Sequence, residues 1–296
     1  AIERIIEVRD NGVPISFTAN LSTGTFTLPF QPAGVVTCSV QGDKVDGTYR
    51  NTIGALVPYI VTAYGKASSR LSSSDLDSTQ IATFSAANTQ PVGIYLSDRT
   101  NVLDVCASLA GSVGAQVTMN RLGLLQILKI ALPFTGSKTT VTQDDMMFHS
   151  LSPSETQDIK ASISLGYAKN WTVQPILQTG IPAAHKNLFA QEWLTVSARD
   201  TTVASLYKIH VDAVQEDTML LTISDAQTEA NRRLALWKTQ RITYSYLGIA
   251  SLLLETLGEY QNIINPRFNM NSGVTAQIIS ISRDWSKFTT NFEVLV

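Results

Sequence analysis

Three histidines, His149, His185 and His210, and three acidic clusters, Asp75 with Asp77, Asp144-Asp145 and Glu216-Asp217, are the residues best equipped for chemistry in this chain. A zinc centre needs His, Cys or carboxylate ligands at short, regular spacing. No histidine here has such a neighbour, so each reads as a core or surface residue. Asp75 and Asp77 are suited to calcium, but their loop lacks the full set of oxygen ligands. All three acidic clusters fall in expected loops and read as solvated charge. A glycosidase needs two carboxylates that distant strands can supply, and spacing alone does not identify such a pair. LAGSVGA (109–115) has the glycines of a phosphate loop but follows a helical pattern rather than a strand, so it fails the context a dinucleotide site requires. HExxH, GxSxG and Walker A motifs are all absent. No catalytic residue, metal ligand or cofactor is therefore assigned. Cys38 and Cys106 lie far apart with no CxxC, and both read as buried free thiols.

The remaining charged feature is Arg232-Arg233, either a partner-binding patch or a helix face whose aliphatic stems lie beside Trp237. The pair sits in SDAQTEANRRLALWKTQRITYSYLG (224–248), which changes period without a Gly or Pro between its halves. Ser224 followed by Gln227 fits a capping box. Ala226, Ala230, Leu234 and Trp237 then fall on one helical face, expected to anchor the helix on a sheet. Arg233 lies at the edge of that face. Arg232, Asn231 and Lys238 point away, which makes Arg232 and Lys238 the interface candidates. After Arg241 the period falls to two, with Ile242, Tyr244 and Tyr246 on one side of a strand.

Elsewhere the pattern is rich in short strands. Residues 15–19, 25–28 and 35–42 alternate and are separated by turn signals. Ile53, Leu56, Val57, Ile60, Val61 and Tyr64 mark a helix face, with Thr48 as N-cap, Gly65 beyond the C-terminus and Pro58 as an internal objection. Residues 66–92 read as an exposed Ser/Thr-rich loop with a short strand at 81–84. A second helix is expected over 101–111, with Val102, Cys106 and Leu109 inward. A hairpin follows over 115–130, turning at 120–123. Ile159–Tyr167 alternates as a strand, and a short helix through Leu188, Phe189 and Trp193 follows the Gly180-Ile181-Pro182 turn. Residues beyond 250 read as further strands. The expected class is α+β and β-rich: strands of a β domain (1–43), an inserted α+β domain (44–132), a β-rich segment with loops (133–223), and a helix with C-terminal barrel strands (224–296).

The composition agrees. The 296 residues can bury a substantial core. Charged residues make up 16% against a usual ~25%, which suits a β-rich protein or a surface largely covered by neighbours. A formal net charge of −2 offers no electrostatic footprint for holding nucleic acid. No apolar run reaches the ~20 residues a membrane-spanning helix needs.

Several segments resemble the tail hub, or tail tip, proteins of long-tailed bacteriophages, whose baseplate hubs are built similarly. The fullest resemblance is C-terminal: EANRRLALWKTQR (229–241), ITYSY (242–246), LLLETLGEY (252–260), NPRFNMNSG (265–273) and AQIISISRD (276–284) follow the family's order of basic helix, strand, Leu-Gly-acid turn, Arg-Phe loop and final strand. STGTFTL (22–28) and VQGDKVDGTYRNTIGALV (40–57) resemble the passage into the hub's inserted domain, and KNWTVQP (169–175) a strand end midway. The beginning departs from the pattern, since hub proteins carry a strand-rich domain before this region and little here precedes Val13. The resemblance implies a structural virion protein without enzymatic activity: a homotrimeric ring at the distal end of the tail tube, assembled in the host cytoplasm. Its implied partners are the distal tail protein, the tip or receptor-binding proteins and the tape measure, with DNA only in transit. An alternative is a carbohydrate-binding or adhesin β-protein of a phage tail, using Trp171, Trp193 and Trp285 as exposed platforms. A cell-wall hydrolase is a further alternative.

Overall fold

The computed structural model describes every residue except 175, 176 and 180. The chain opens with β1 (Ile2–Asp10), which turns through Asn11-Gly12 into β2 (Val13–Ile15). Both turn residues have positive φ (45° and 84°), the conformation a two-residue hairpin of this kind requires and Asn-Gly adopts at least cost. A small hairpin, β3 (Thr18–Asn20) with β4 (Thr25–Thr27), precedes β5 (Val36–Asp43), which pairs with the other side of β1. The strand at 2–10 was not expected from the alternation, although it is the centre of this sheet.

The helical unit follows. In α1 (Ile53–Ala63) Ile53, Val57 and Val61 are buried, and Gly65 takes a positive φ beyond its end. Thr52, not Thr48, precedes the helix. Pro58 stands inside it, where its missing N–H removes one backbone bond. The expected loop with a strand at 81–84 is instead a helix, α2 (Ser78–Ala87). Asp77 caps it through Gln80 N, and the one-turn pair Ile81 and Phe84 is buried. Gly54 lets α1 and α2 meet closely, since a Cβ there would lie 1.9 Å from Ser85 Oγ. In α3 (Val102–Gly111) Cys106 and Leu109 face inward as expected, with Val105 and Ala110 beside them. The hairpin of β6 (Ala115–Met119) and β7 (Leu125–Lys129) turns at residues 120–124, where Asn120 Oδ1 accepts from the backbone of Leu122 and Leu124.

Short β8 (Thr139–Val141) and β9 (Ser152–Thr156) come next, then β10 (Ser162–Tyr167). The helix expected after Pro182 is α4 (Ala183–Ala190). It contains Leu188 and Phe189 but ends before Trp193, and Gly180 of the expected turn lies outside the described residues. Next come β11 (Leu194–Arg199), α5 (Thr201–Tyr207) and β12 (Gln215–Asp217); the sheet order is β11-β10-β12. The helix of the period change is α6 (Ile223–Trp237), which crosses β10 and β11.

The chain ends in β13 (Ile242–Gly248), β14 (Tyr260–Asn265), β15 (Met270–Asp284) and β16 (Thr289–Leu295). They form one sheet with earlier strands, in the order β8-β14-β15-β16-β13-β9. The α+β, strand-rich class is the expected one. The C-terminal strands do not close as a barrel among the described residues. β8 and β9 occupy opposite ends of the order and do not pair with each other, because each is a short strand recruited from 133–156.

Two main cores result. The first joins α1, α2, α3 and the β6–β7 hairpin to β10, β11 and α6. The second lies on the C-terminal sheet around Tyr246, Ile263, Ile278 and Phe292. A third, small cluster lies between them: Leu132, Leu236 and Leu295, with Trp237, Tyr260 and Ile279 packed against it.

Candidate functional site

The helix α6 contributes to the first core and to the small cluster beside the C-terminal sheet. Thr222 precedes it, accepting from Asp225 N at 3.2 Å and donating to Asp225 Oδ2 at 2.6 Å. The cap expected at Ser224 therefore sits two residues earlier, because Thr222 provides the same hydroxyl with an acid three residues on. Ala226 and Ala230 are fully buried and Leu234 nearly so, all in the first core. Two alanines in succession along one face allow the helix backbone to lie close to β10 and β11.

At the middle of α6 is Glu229, 4% exposed. Arg232 Nε and Nη2 each donate to its carboxylate at 2.7 Å, and Arg233 Nε donates at 2.8 Å. Lys129 Nζ stands 3.7 Å away, too far for a hydrogen bond but close enough for attraction, and donates to Asn88 Oδ1 at 2.9 Å. Burial on its own would push the Glu229 carboxyl up. The hydrogen bonds and charges of these cations outweigh it and hold the carboxyl below the usual range. Burial brings Lys129 down to about 8 despite the nearby Glu229 charge.

The arginines also reach outward from Glu229 to other elements. Arg233 Nη2 donates to the carbonyls of Gly111 (2.7 Å) and Ser112 (3.3 Å), at the C-terminal end of α3, where free carbonyls favour a cation. Its Nη1 reaches Glu216 Oε2 on β12 at 2.5 Å. Arg232 donates to Ile130 O at 3.1 Å and to Val113 O at 3.2 Å. Gly114 makes room for it, since a Cβ at that position would lie 2.6 Å from Arg232 Nη2. Four segments are thus tied to one buried carboxylate.

This corrects the orientation expected for Arg232. Helical angle places it away from the Ala226 face, but its long side chain folds back onto Glu229 and the two carbonyls. Lys238 does sit at the surface, where it pairs with Asp200 at 3.3 Å, the residue that caps α5. Trp237 is half-buried in the small cluster between the cores, not in the first core with Ala226, Ala230 and Leu234. Only residues 238–241 separate α6 from β13. The carbonyl of Trp237 accepts from Lys160 N at 3.0 Å and that of Arg241 from Gln157 N at 2.8 Å.

Most of the acidic residues of the three clusters have structural partners. Asp77 and Asp200 cap helices, Asp75 and Asp145 complete capping boxes, and Glu216 pairs with Lys160 and Arg233. Among the described residues, no group of three His, Cys, Asp or Glu is placed to hold a metal ion. Cys106 is buried, but Cys38 is exposed on β5, which corrects the reading of two buried thiols: β5 lies in a thin sheet outside the main cores. Trp171 and Trp193 come together about Lys169, whose Nζ lies 4.3 Å and 4.9 Å from the two rings. Trp285 stands exposed on the β15–β16 turn. Glu229 was not singled out in the sequence. Its one signal was a carboxylate three and four residues before two arginines on a helix.

No protein-family model matches the chain, and no curated protein matches it in sequence. It is similar, at low identity and low TM-score, to solved tail and virion proteins. A tail protein from Neisseria meningitidis is 12% identical with a TM-score of 0.40, over 70% of this chain and 58% of that one. A 43 kDa tail protein of a Shewanella oneidensis prophage is 13% identical with a TM-score of 0.41, over 85% and 65%. A chain of a gene transfer agent virion is 13% identical with a TM-score of 0.42, over 63% and 37%. The match thus spans less than two thirds of the length of each of these three chains. The similarity of this chain is thus to two tail proteins and one virion protein, at TM-scores of 0.40 to 0.42.

Proposed function

We propose that this chain is a structural protein of a phage-like virion tail, a hub subunit that closes a ring of three copies at the distal end of the tail tube. In this reading the ring joins the distal tail protein to the tip or receptor-binding proteins and surrounds the tape measure and, later, the passing DNA. It assembles rather than catalyses. The observation that carries the reading is the joint at residues 223–248, where one helix seated in the first core passes within four residues into an interior strand of the sheet that bears the second. A wall subunit under axial load needs its two cores coupled in this way. The C-terminal block that resembles hub proteins begins on this same helix.

Two further features support it. The C-terminal sheet ends in short β8 and β9, and all five residues of β9 are exposed. Such edges recruit strands unless they are covered, and a neighbouring subunit would cover them. The net charge of −2 suits a conduit that does not retain DNA. Lys238, at the surface beside Asp200, is the interface candidate; Arg232 contributes by fixing the helix that presents it.

Light scattering on the purified chain, followed by electron-microscope class averages, tests the reading. A mass of three subunits and a ring with a central opening is the expected result. A chain that remains a compact monomer even with distal tail and tip proteins added would overturn it.

A further inference from the structure

We propose that the cleft between the β6–β7 turn and the C-terminal sheet receives an acidic side chain, flanked by apolar residues, from a neighbouring protein. The cleft has a volume of about 180 Å³. Met119, Leu257 and Ile281 give it apolar walls, and Arg121 and Arg283 bring two guanidinium groups to it. Among the described residues neither guanidinium is paired with a carboxylate.

The two cations are held in different ways. Arg283 is fixed by donating through Nε to Leu253 O at 3.0 Å and through Nη2 to Glu255 O, which leaves Nη1 uncommitted. Arg121 makes no hydrogen bond among the described residues, but its backbone is set by the turn that Asn120 organises. Burial, and then the Arg121 charge, both lower the pKa of Arg283, as two like charges at one cleft should. Thr256 adds a hydroxyl, while its backbone N–H is taken by Glu259.

A carboxylate at this place would relieve the repulsion and accept from both guanidinium groups, which suit planar oxyanions. A phosphodiester chain needs a continuing basic track, and among the described residues Arg121 and Arg283 are the only cations lining the cleft. Exposed Leu122, next to Arg121 on the turn, extends the apolar surface toward a flanking residue of the partner.

The test uses the full chain with a capped Leu-Glu-Leu peptide, the matched Leu-Gln-Leu peptide and inorganic phosphate, read by calorimetry or NMR titration. The Glu peptide is expected to bind about tenfold more tightly than the Gln peptide, the gain of one charge-assisted contact. Its affinity should fall with added salt. Arg121→Ala should bring both peptides to the same weak level without moving the melting temperature, and Arg121→Lys should retain part of the difference. Equal affinity for the two peptides would overturn the proposal. So would Glu-peptide binding that survives Arg121→Ala, binding of phosphate without the Glu peptide, or no binding at all. These measurements are made on the single chain, so their outcome is separate from whether it forms a ring.

Discussion

Arg233 Nε donates to Glu229 Oε1 at 2.8 Å one turn back along α6, while Nη1 of the same guanidinium meets Glu216 of β12 at 2.5 Å. One side chain thus joins its own helix to a neighbouring sheet, with Glu229 between it and Arg232. Removing the shared carboxylate leaves Arg232, Arg233 and Lys129 facing one another. Glu229→Gln is expected to cost about 3–5 kcal/mol, the range for breaking one partner out of a buried charge group. Urea unfolding measures it, and a loss under about 1 kcal/mol would show that the node is not a stabilising unit.

Acid should weaken this node in a defined window. The folded Glu229 carboxyl lies below its ordinary value of 4.5, so its contribution is complete above that pH and is lost as pH falls through the depressed folded value. Lys129 acts in a separate window. Its folded pKa of about 8 is below the ordinary 10.5, so between these values the unfolded chain holds more protons and this group's contribution to stability rises with pH. Thermal melts of the wild type should fall below about pH 4.5, and Glu229→Gln should flatten that decline. An unchanged acid limb in the variant would assign the decline to other carboxylates.

Trp237→Ala should cost about 2 kcal/mol, less than the ~3–5 of a fully buried aromatic, because the indole is half-buried. It packs against the small cluster of Leu132, Leu236 and Leu295 at the seam of the two cores. The loss should therefore loosen the coupling of the C-terminal sheet to α6. Hydrogen exchange should rise in β15 and β16 ahead of α1 to α3; a uniform rise would contradict a seam role.

Gly54→Ala tests the contact of α1 with α2. Inside a helix this exchange usually gains ~1 kcal/mol. Here the new Cβ would lie 1.9 Å from Ser85 Oγ and 3.1 Å from Ser85 Cα, so the helices must separate. A net loss of about 1–3 kcal/mol is expected, and a raised melting temperature would refute it.

Cys38 and Cys106 should differ in reactivity. Burial raises both thiols, Cys106 to about 11, but Cys38 is exposed to a reagent and Cys106 is not. A maleimide reagent is expected to label one thiol in the folded chain, at Cys38, and both in denaturant. Mapping the first label to Cys106 would sink this assignment.

The elements that were legible are those whose own period decided them. α3, α6 and β13 bury most of the face their spacing marks, and the β6–β7 hairpin turns where its Gly-bearing turn predicts. β1 carried a readable signal that alternation obscured: Asn11-Gly12 is a hairpin turn, and a strand had to precede it. α2 was hidden by composition, because Ser and Thr favour loops until a cap such as Asp77 and a buried pair such as Ile81 and Phe84 decide otherwise. The node around Glu229 was least legible. Its partners come from residues 111–113, 129–130 and 216, and no local pattern states that these converge.

The order in which the first core is assembled has a consequence for synthesis. Val57, Leu109 and Leu165 share that core with Ala226, Ala230 and Leu234. A ribosome must therefore pass from α1 through to α6 before the last wall of that core exists, and the exit tunnel delays it further. Until α6 emerges, the nascent chain carries an open apolar groove over β10 and β11. Transcripts cut short before Leu234 should yield clients for chaperones and proteases, whereas a chain stopped soon after it already holds every piece of that core.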